Sequence, residues 1–165
     1  MINNMSHIRK KAIEGLKTGD SFSVTRTFTE QDVMMFGEIS GDYNPVHYDE
    51  RFASVKKFKG RVCHGLLVAC MVTEIGGQIG WLASGMNLKF RQPVYIGDTV
   101  TCTLSIMETG DGGRARAEAV FVNQDGLSVM ECTLTGIIPG APEKKVLTQM
   151  VAEGDPTNRK SQRKS

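Results

Sequence analysis

The chain has 165 residues, 40 % hydrophobic and 23 % charged, a composition that supports one packed core and excludes wholesale disorder. Its net charge of +2 resides at the end of the chain, where Arg159, Lys160, Arg163 and Lys164 outnumber Glu153 and Asp155, and the neutral remainder lacks the basic face of a nucleic-acid-binding domain. No apolar run approaches the ~20 residues that cross a bilayer, no signal-peptide stretch follows the basic N-terminus, and the four cysteines show no C-x-x-C spacing, so the expected setting is the cytoplasm, with reduced thiols and no membrane.

Ile8, Ala12, Ile13 and Leu16 recur at helical spacing among basic residues, which predicts a short amphipathic helix in an N-terminal segment, residues 1–17. Phe22, Val24, Arg26 and Phe28 then alternate with Ser23, Thr25 and Thr27 as a strand with one wet face. Thr29, with Asp32 three residues on, reads as the N-cap of a second helix; Phe28 can staple onto Val33, and Gly41 supplies a left-handed closing residue. Residues 42–62 read as mostly loop, with a helical turn near residues 50–53.

Over residues 64–79 apolar side chains cover every face, predicting a helix buried on all sides. Strands are expected at 86–90, 99–107, 115–122 and 127–137, the last three joined by Asp111-Gly112-Gly113 and Gln124-Asp125-Gly126 turns. Long antiparallel strands twist and curl. A curved antiparallel sheet wrapped round one long buried helix, a hotdog-like α+β fold, is therefore expected over residues 18–138. Beyond it, one helical turn near residues 146–151 is expected in a C-terminal tail, residues 139–165, that otherwise reads as disordered.

The chemistry concentrates in Ser40-Gly41-Asp42-Tyr43-Asn44-Pro45-Val46-His47 and in Cys63-His64-Gly65 at the mouth of the buried helix. Pro45 keeps Asn44 out of the α region, so an acid and an imidazole five residues apart sit on a stiff turn, as general acid/base work requires. Gly65 leaves a helix-start N–H open to a ligand oxygen. Each piece has a plainer reading: Asp42 as a turn former, His47 as a structural histidine, His64 as a cap, Cys63 as packing. Asp42, His47, Asp49 and His64 lack a compact metal-ligand spacing, so no metal is expected. Gly76-Gly77-Gln78-Ile79-Gly80 lacks the Lys-Ser/Thr ending of a phosphate loop and reads as a helix terminus.

Together, the 41–47 motif, His64-Gly65 opening an apolar run, and Phe90-Arg91-Gln92-Pro93-Val94-Tyr95-Ile96-Gly97-Asp98 leading into a strand resemble the MaoC-like, (R)-specific enoyl-CoA hydratases over residues 18–138. The resemblance implies a homodimer that reversibly adds water to trans-2-enoyl thioesters of coenzyme A or acyl carrier protein, with no metal and no cofactor beyond the coenzyme A of the substrate. It makes Asp42 and His47 the catalytic pair and gives the thioester oxygen to the Gly65 N–H. Asn44, His64 and Thr73 become supporting residues, Thr73 standing where related members place serine. Lys56, Lys57, Lys59 and Arg61 form a basic cluster that suits coenzyme A phosphates, or else a solvated loop. The rivals are a hotdog acyl-thioesterase, directing water at the thioester carbon, and a non-catalytic acyl-thioester-binding protein; the Asp-to-His spacing favours hydration.

Overall fold

A computed structural model describes residues 6–158. Ser6 caps α1 (His7–Glu14) by accepting from the Arg9 N–H, and β1 (Ser21–Thr27) turns Phe22 inward and its hydroxyls outward. In α2 (Glu30–Ser40), Thr29 and Asp32 cap each other reciprocally, Phe28 and Val33 are buried in one core, and Gly41 closes the helix at φ 73°. The following segment holds more structure than the expected loop. Pro45 starts a 3₁₀ turn over Pro45–His47, and Asp49 caps α3 (Glu50–Val55) by accepting from the Arg51 N–H.

The long apolar segment is two helices rather than one, α4 (Gly65–Ala69) and α5 (Met71–Ile79). They meet at Cys70, whose carbonyl accepts both the Thr73 N–H at 3.0 Å and the Thr73 hydroxyl at 2.6 Å. Such i-to-i+3 bonding tightens the turn and breaks the regular helix. Burial is also incomplete: Met71, Val72, Ile75 and Ile79 are enclosed, but Leu66 is 58 % exposed.

The sheet has the order β1-β3-β4-β5-β2 and is antiparallel throughout, with β2 (Leu82–Phe90), β3 (Thr99–Thr109), β4 (Arg114–Asn123) and β5 (Ser128–Ile137). β2 begins four residues before the expected strand, because pairing with β5 extends Ala83, Ser84 and Gly85, weak strand formers by themselves. Val100, Cys102, Leu104 and Ile106 of β3 and Ala117, Ala119 and Phe121 of β4 face the core with α5. Bulges in three of the four strand pairs add to the curl. The result is the expected hotdog arrangement, with its central helix broken at Cys70.

The C-terminal segment departs most from expectation. Pro142 in the first turn and Glu143, whose carboxylate accepts the Gly140 N–H at 3.1 Å, start a twelve-residue helix, α6 (Ala141–Ala152), that buries Leu147. The chain after it docks on α1 and on the end of α5: Asp155 lies 3.9 Å from the Arg9 guanidinium, Gln78 donates to the Thr157 carbonyl, and the Ser6 N–H donates to Asn158. The basic residues Arg159, Lys160, Arg163 and Lys164 lie outside the described residues. Among the described residues, no helix is long and apolar enough to cross a membrane, and all four cysteines are free.

Candidate active site

Gly41 ends α2 in the left-handed region and hands the chain to Asp42, whose N–H bonds to the Ser40 hydroxyl at 3.1 Å. Asp42 Oδ1 accepts the Asn44 N–H at 3.1 Å, and Asn44 Oδ1 accepts the Val46 N–H at 3.2 Å. These consecutive Asx turns, followed by Pro45, bend the loop so that His47 returns towards Asp42. Asp42 Oδ2 stands 3.8 Å from His47 Nε2, the carboxylate half-exposed and the imidazole buried.

His47 Nδ1 lies 2.8 Å from the Val62 carbonyl. A carbonyl only accepts, so the proton sits on Nδ1, and the Nε2 of the neutral ring turns a lone pair towards Asp42. Burial, chiefly, holds the His47 pKa below its ordinary value; His64 also lowers it, against the raising pull of the Val62 carbonyl and Asp42. His64 stacks on His47, ring centroids 3.8 Å apart, and donates from Nε2 to the Asp42 carbonyl at 2.9 Å.

Asp42, His64 and Gly65 line a cavity of about 410 Å³ together with Arg91 and Gln92, and its apolar walls include Phe58, Leu66, Phe90 and Met130. The isolated Val62–Tyr95 bridge and the Cys63 N–H to Val94 carbonyl bond of 2.7 Å pin the start of α4 beside the β2–β3 connection. Gly65 is the first residue of α4, so its N–H has no intrahelical partner. The Phe90 ring lies so close that a Cβ at position 65 would collide with it.

The structure therefore brings together Asp42, His47, His64 and Gly65. Asn44 builds the turn without facing the cavity. Thr73 is exposed, and its hydroxyl is spent on the Cys70 carbonyl. The basic cluster divides: Arg61 is paired with Glu30 at 2.8 Å and with Glu50 at 3.2 Å. Lys56 sits 5.7 Å over the Phe52 ring, and Lys57 and Lys59 are exposed beside cavity-lining Phe58. Burial pushes the Cys63 thiol up to about 12, which leaves it inert as a nucleophile.

Two further residues, Tyr48 and Phe90, shape the site. The Tyr48 hydroxyl occupies the space a side chain at position 37 would need, so Gly37 admits the ring that packs edge-on against His47 and His64. A glycine inside a helical pattern was the available signal. Phe90 was read only as part of a motif, and its cover over Gly65 depends on β2 pairing. Asp42, His47 and His64 each bring one ligand-capable atom within 4.8 Å of the others, near enough for a cation to touch all three, though no fourth histidine, cysteine or carboxylate joins them among the described residues.

Residues 14–126 match the model of the MaoC like domain family. An (R)-specific enoyl-CoA hydratase of Rhodospirillum rubrum is 38 % identical over 97 residues, covering 56 % of this chain and 67 % of that protein. A mitochondrial 3-hydroxyacyl-[acyl-carrier-protein] dehydratase of Arabidopsis thaliana is 31 % identical over 145 residues, covering 84 % of this chain and 86 % of the other. The unliganded R-hydratase of Pseudomonas aeruginosa superposes with a TM-score of 0.71 at 29 % identity, over 77 % of this chain and 84 % of that one.

Proposed function

Because the chain belongs to the MaoC-like domain family, we propose that it is a hydro-lyase that reversibly adds water to the double bond of trans-2-enoyl thioesters, giving (R)-3-hydroxyacyl thioesters. The observation that carries the reading is the separation of 3.8 Å between Asp42 Oδ2 and His47 Nε2, with Asp42 and Gly65 on the wall of one apolar cavity and His47 buried behind Asp42. Two acceptors that far apart can share one water, each taking one of its hydrogens at ordinary hydrogen-bond length.

Conjugate addition needs a base for that water, a proton for the α-carbon and donors for the enolate-like oxygen that forms between them. Asp42 acts as the base and His47 as its acid/base partner. The water oxygen bonds to the β-carbon as its proton passes to the pair; one proton then returns to the α-carbon, and the pair ends as it began. The Gly65 N–H receives the thioester oxygen. The cycle balances without a metal, and the only coenzyme is the thiol carrier of the substrate. Of the basic cluster, Lys56, Lys57 and Lys59 are free of ion pairs among the described residues and suit carrier phosphates, whether the carrier is coenzyme A or acyl carrier protein.

We further read the assembly as a homodimer joined through β2. That strand has one free edge and exposes Leu82, Met86 and Phe90. The cytoplasm, a reducing compartment, suits four unbonded cysteines. The inert Cys63 weighs against a thiol-based thioesterase. Crotonyl-coenzyme A supplies the test: hydration removes the enoyl absorbance with no thiol released, hydrolysis releases free thiol, and a binding protein does neither. Thiol release would replace this reading with hydrolysis.

A further inference from the structure

We propose that His64 is the positioning residue of the hydration site, one imidazole that fixes both members of the catalytic pair; the proposal rests on the hydratase reading. Its Nε2–H holds the main chain of Asp42 at 2.9 Å, and its ring lies against His47 at 3.8 Å and 31°. Phe36 packs on it at 5.0 Å, and His64 is 1 % exposed, so it has no freedom to serve elsewhere. The proton committed to the Asp42 carbonyl leaves His64 Nδ1 as a buried atom with no hydrogen-bond partner among the described residues. An unpaired polar atom in the interior is a cost. A leucine or phenylalanine would fill this space without it. What an imidazole adds is the donor that ties down Asp42, on a ring that lies against His47.

The groups facing His47 divide accordingly. The Asp42 carboxylate favours an imidazolium, the Val62 carbonyl orients the Nδ1–H, Tyr48 presents a ring edge at 6.3 Å, and His64 opposes the positive charge. Burial is the main cause of a neutral His47 that can accept from water, and His64 adds to it, while its hydrogen bond keeps Asp42 within reach of the same water.

Three variants separate the two contributions. His64→Gln can keep a donor without the ring, His64→Phe keeps a ring without the donor, and His64→Leu keeps neither. Turnover of crotonyl-coenzyme A is measured from pH 5 to 9 on protein that melts cooperatively. Loss of positioning costs about 10- to 100-fold in kcat; this is expected for His64→Leu and His64→Phe with KM little changed, and His64→Gln should recover most of it. In all three the acid limb of the pH profile should move to higher pH.

A folded His64→Leu enzyme with unchanged kcat and acid limb overturns the proposal. Should that variant not fold, His64→Gln must exceed His64→Phe in kcat about tenfold, and equality overturns it. NMR titration of the His47 imidazole reads the same effect without turnover: its midpoint rises when His64 is replaced, and a fixed midpoint sinks the idea. A wild-type chain inert on both crotonyl- and 3-hydroxybutyryl-coenzyme A would remove the hydratase reading, while the NMR result would still decide what His64 does to His47.

Discussion

At the far end of α5, Arg9 bonds to the Thr157 hydroxyl and lies beside Asp155, Ser6 donates to Gln78, and Gln78 donates to the Thr157 carbonyl. At the near end of α4, His47 and His64 each spend one ring nitrogen on a main-chain carbonyl and keep the other. Both clusters are polar groups gathered at an end of the central helices. The first turns its groups on one another, leaving Arg9 Nε and Asp155 Oδ2 without hydrogen bonds among the described residues, and acts as a clasp between α1 and the segment after α6. The second is left unfinished, and unused lone pairs beside an apolar cavity are what a reacting water requires.

Breaking the unfinished cluster should give the largest effect. Asp42→Asn and His47→Ala are each expected to lower hydration ~10²- to 10⁴-fold without unfolding the protein, as loss of a general base or acid does. Circular dichroism and the enoyl absorbance assay check both points. On the proposed mechanism both residues serve one water, so the double variant should be little worse than the poorer single one; multiplicative losses would mean that they act on separate steps.

Gly65 comes next. Losing one oxyanion donor costs ~10²- to 10³-fold, and Gly65→Val should lose at least that, while Cys63→Ala stays near wild type. The Phe90 ring meets a side chain at 65 before substrate does. Part of the loss is therefore displaced packing, and Phe90→Ala should recover some activity in the Gly65→Ala background. A dead Cys63→Ala beside an active Gly65→Val would make the thiol the nucleophile.

The clasp should answer through stability instead. Arg9→Met removes the cation beside Asp155 and the bond to the Thr157 hydroxyl while Asp155 keeps its bonds to Thr157, a loss of roughly 1 to 2 kcal/mol, or about 2 to 8 °C in melting temperature for a chain of this size. Hydration measured well below the melt should change less than about twofold, because mutations far from a site act almost independently of it. A large kcat loss with an unchanged melt would erase the distinction between the two ends.

The smallest effect is a slope. Burial keeps the folded His47 pKa below its ordinary 6.5, so the unfolded chain takes up that proton first on acidification. The contribution of neutral His47 is fully present above about pH 6.5 and is lost as pH falls through the lower folded value. Urea midpoints from pH 8 to 5 should therefore fall less steeply in His47→Gln than in wild type. Parallel profiles would mean that the site is solvated like a surface histidine.

The sequence made legible what local chemistry determines. Thr29 and Asp32 announce a capping box, Gly41 a left-handed stop, and the alternation in β3 a core face, all visible within a few residues. The Asp42-to-His47 turn was legible because Pro45 and two Asx residues set its backbone. What required the fold is contact between distant segments: His64 on His47, Phe90 on Gly65, Arg61 between Glu30 and Glu50. α6 was underestimated because its apolar stripe is thin, although Pro142 and Glu143 mark its start, and the clasp was invisible because Arg9 and Asp155 meet only across the two ends of the chain.

The two sheet edges also carry a lesson in arithmetic. On β1 the outward hydroxyls are already paired with β3, as in Ser23–Thr103 and Thr25–Thr101, both at 2.8 Å, whereas β2 exposes Leu82, Met86 and Phe90. A particle with two adhesive edges polymerises without limit; one with a single adhesive edge stops once that edge has met its own copy across a two-fold axis. With polar side chains along β1 and apolar ones along β2, a pairing of β2 with its own copy would stop at two and keep an open sheet from growing into a fibre.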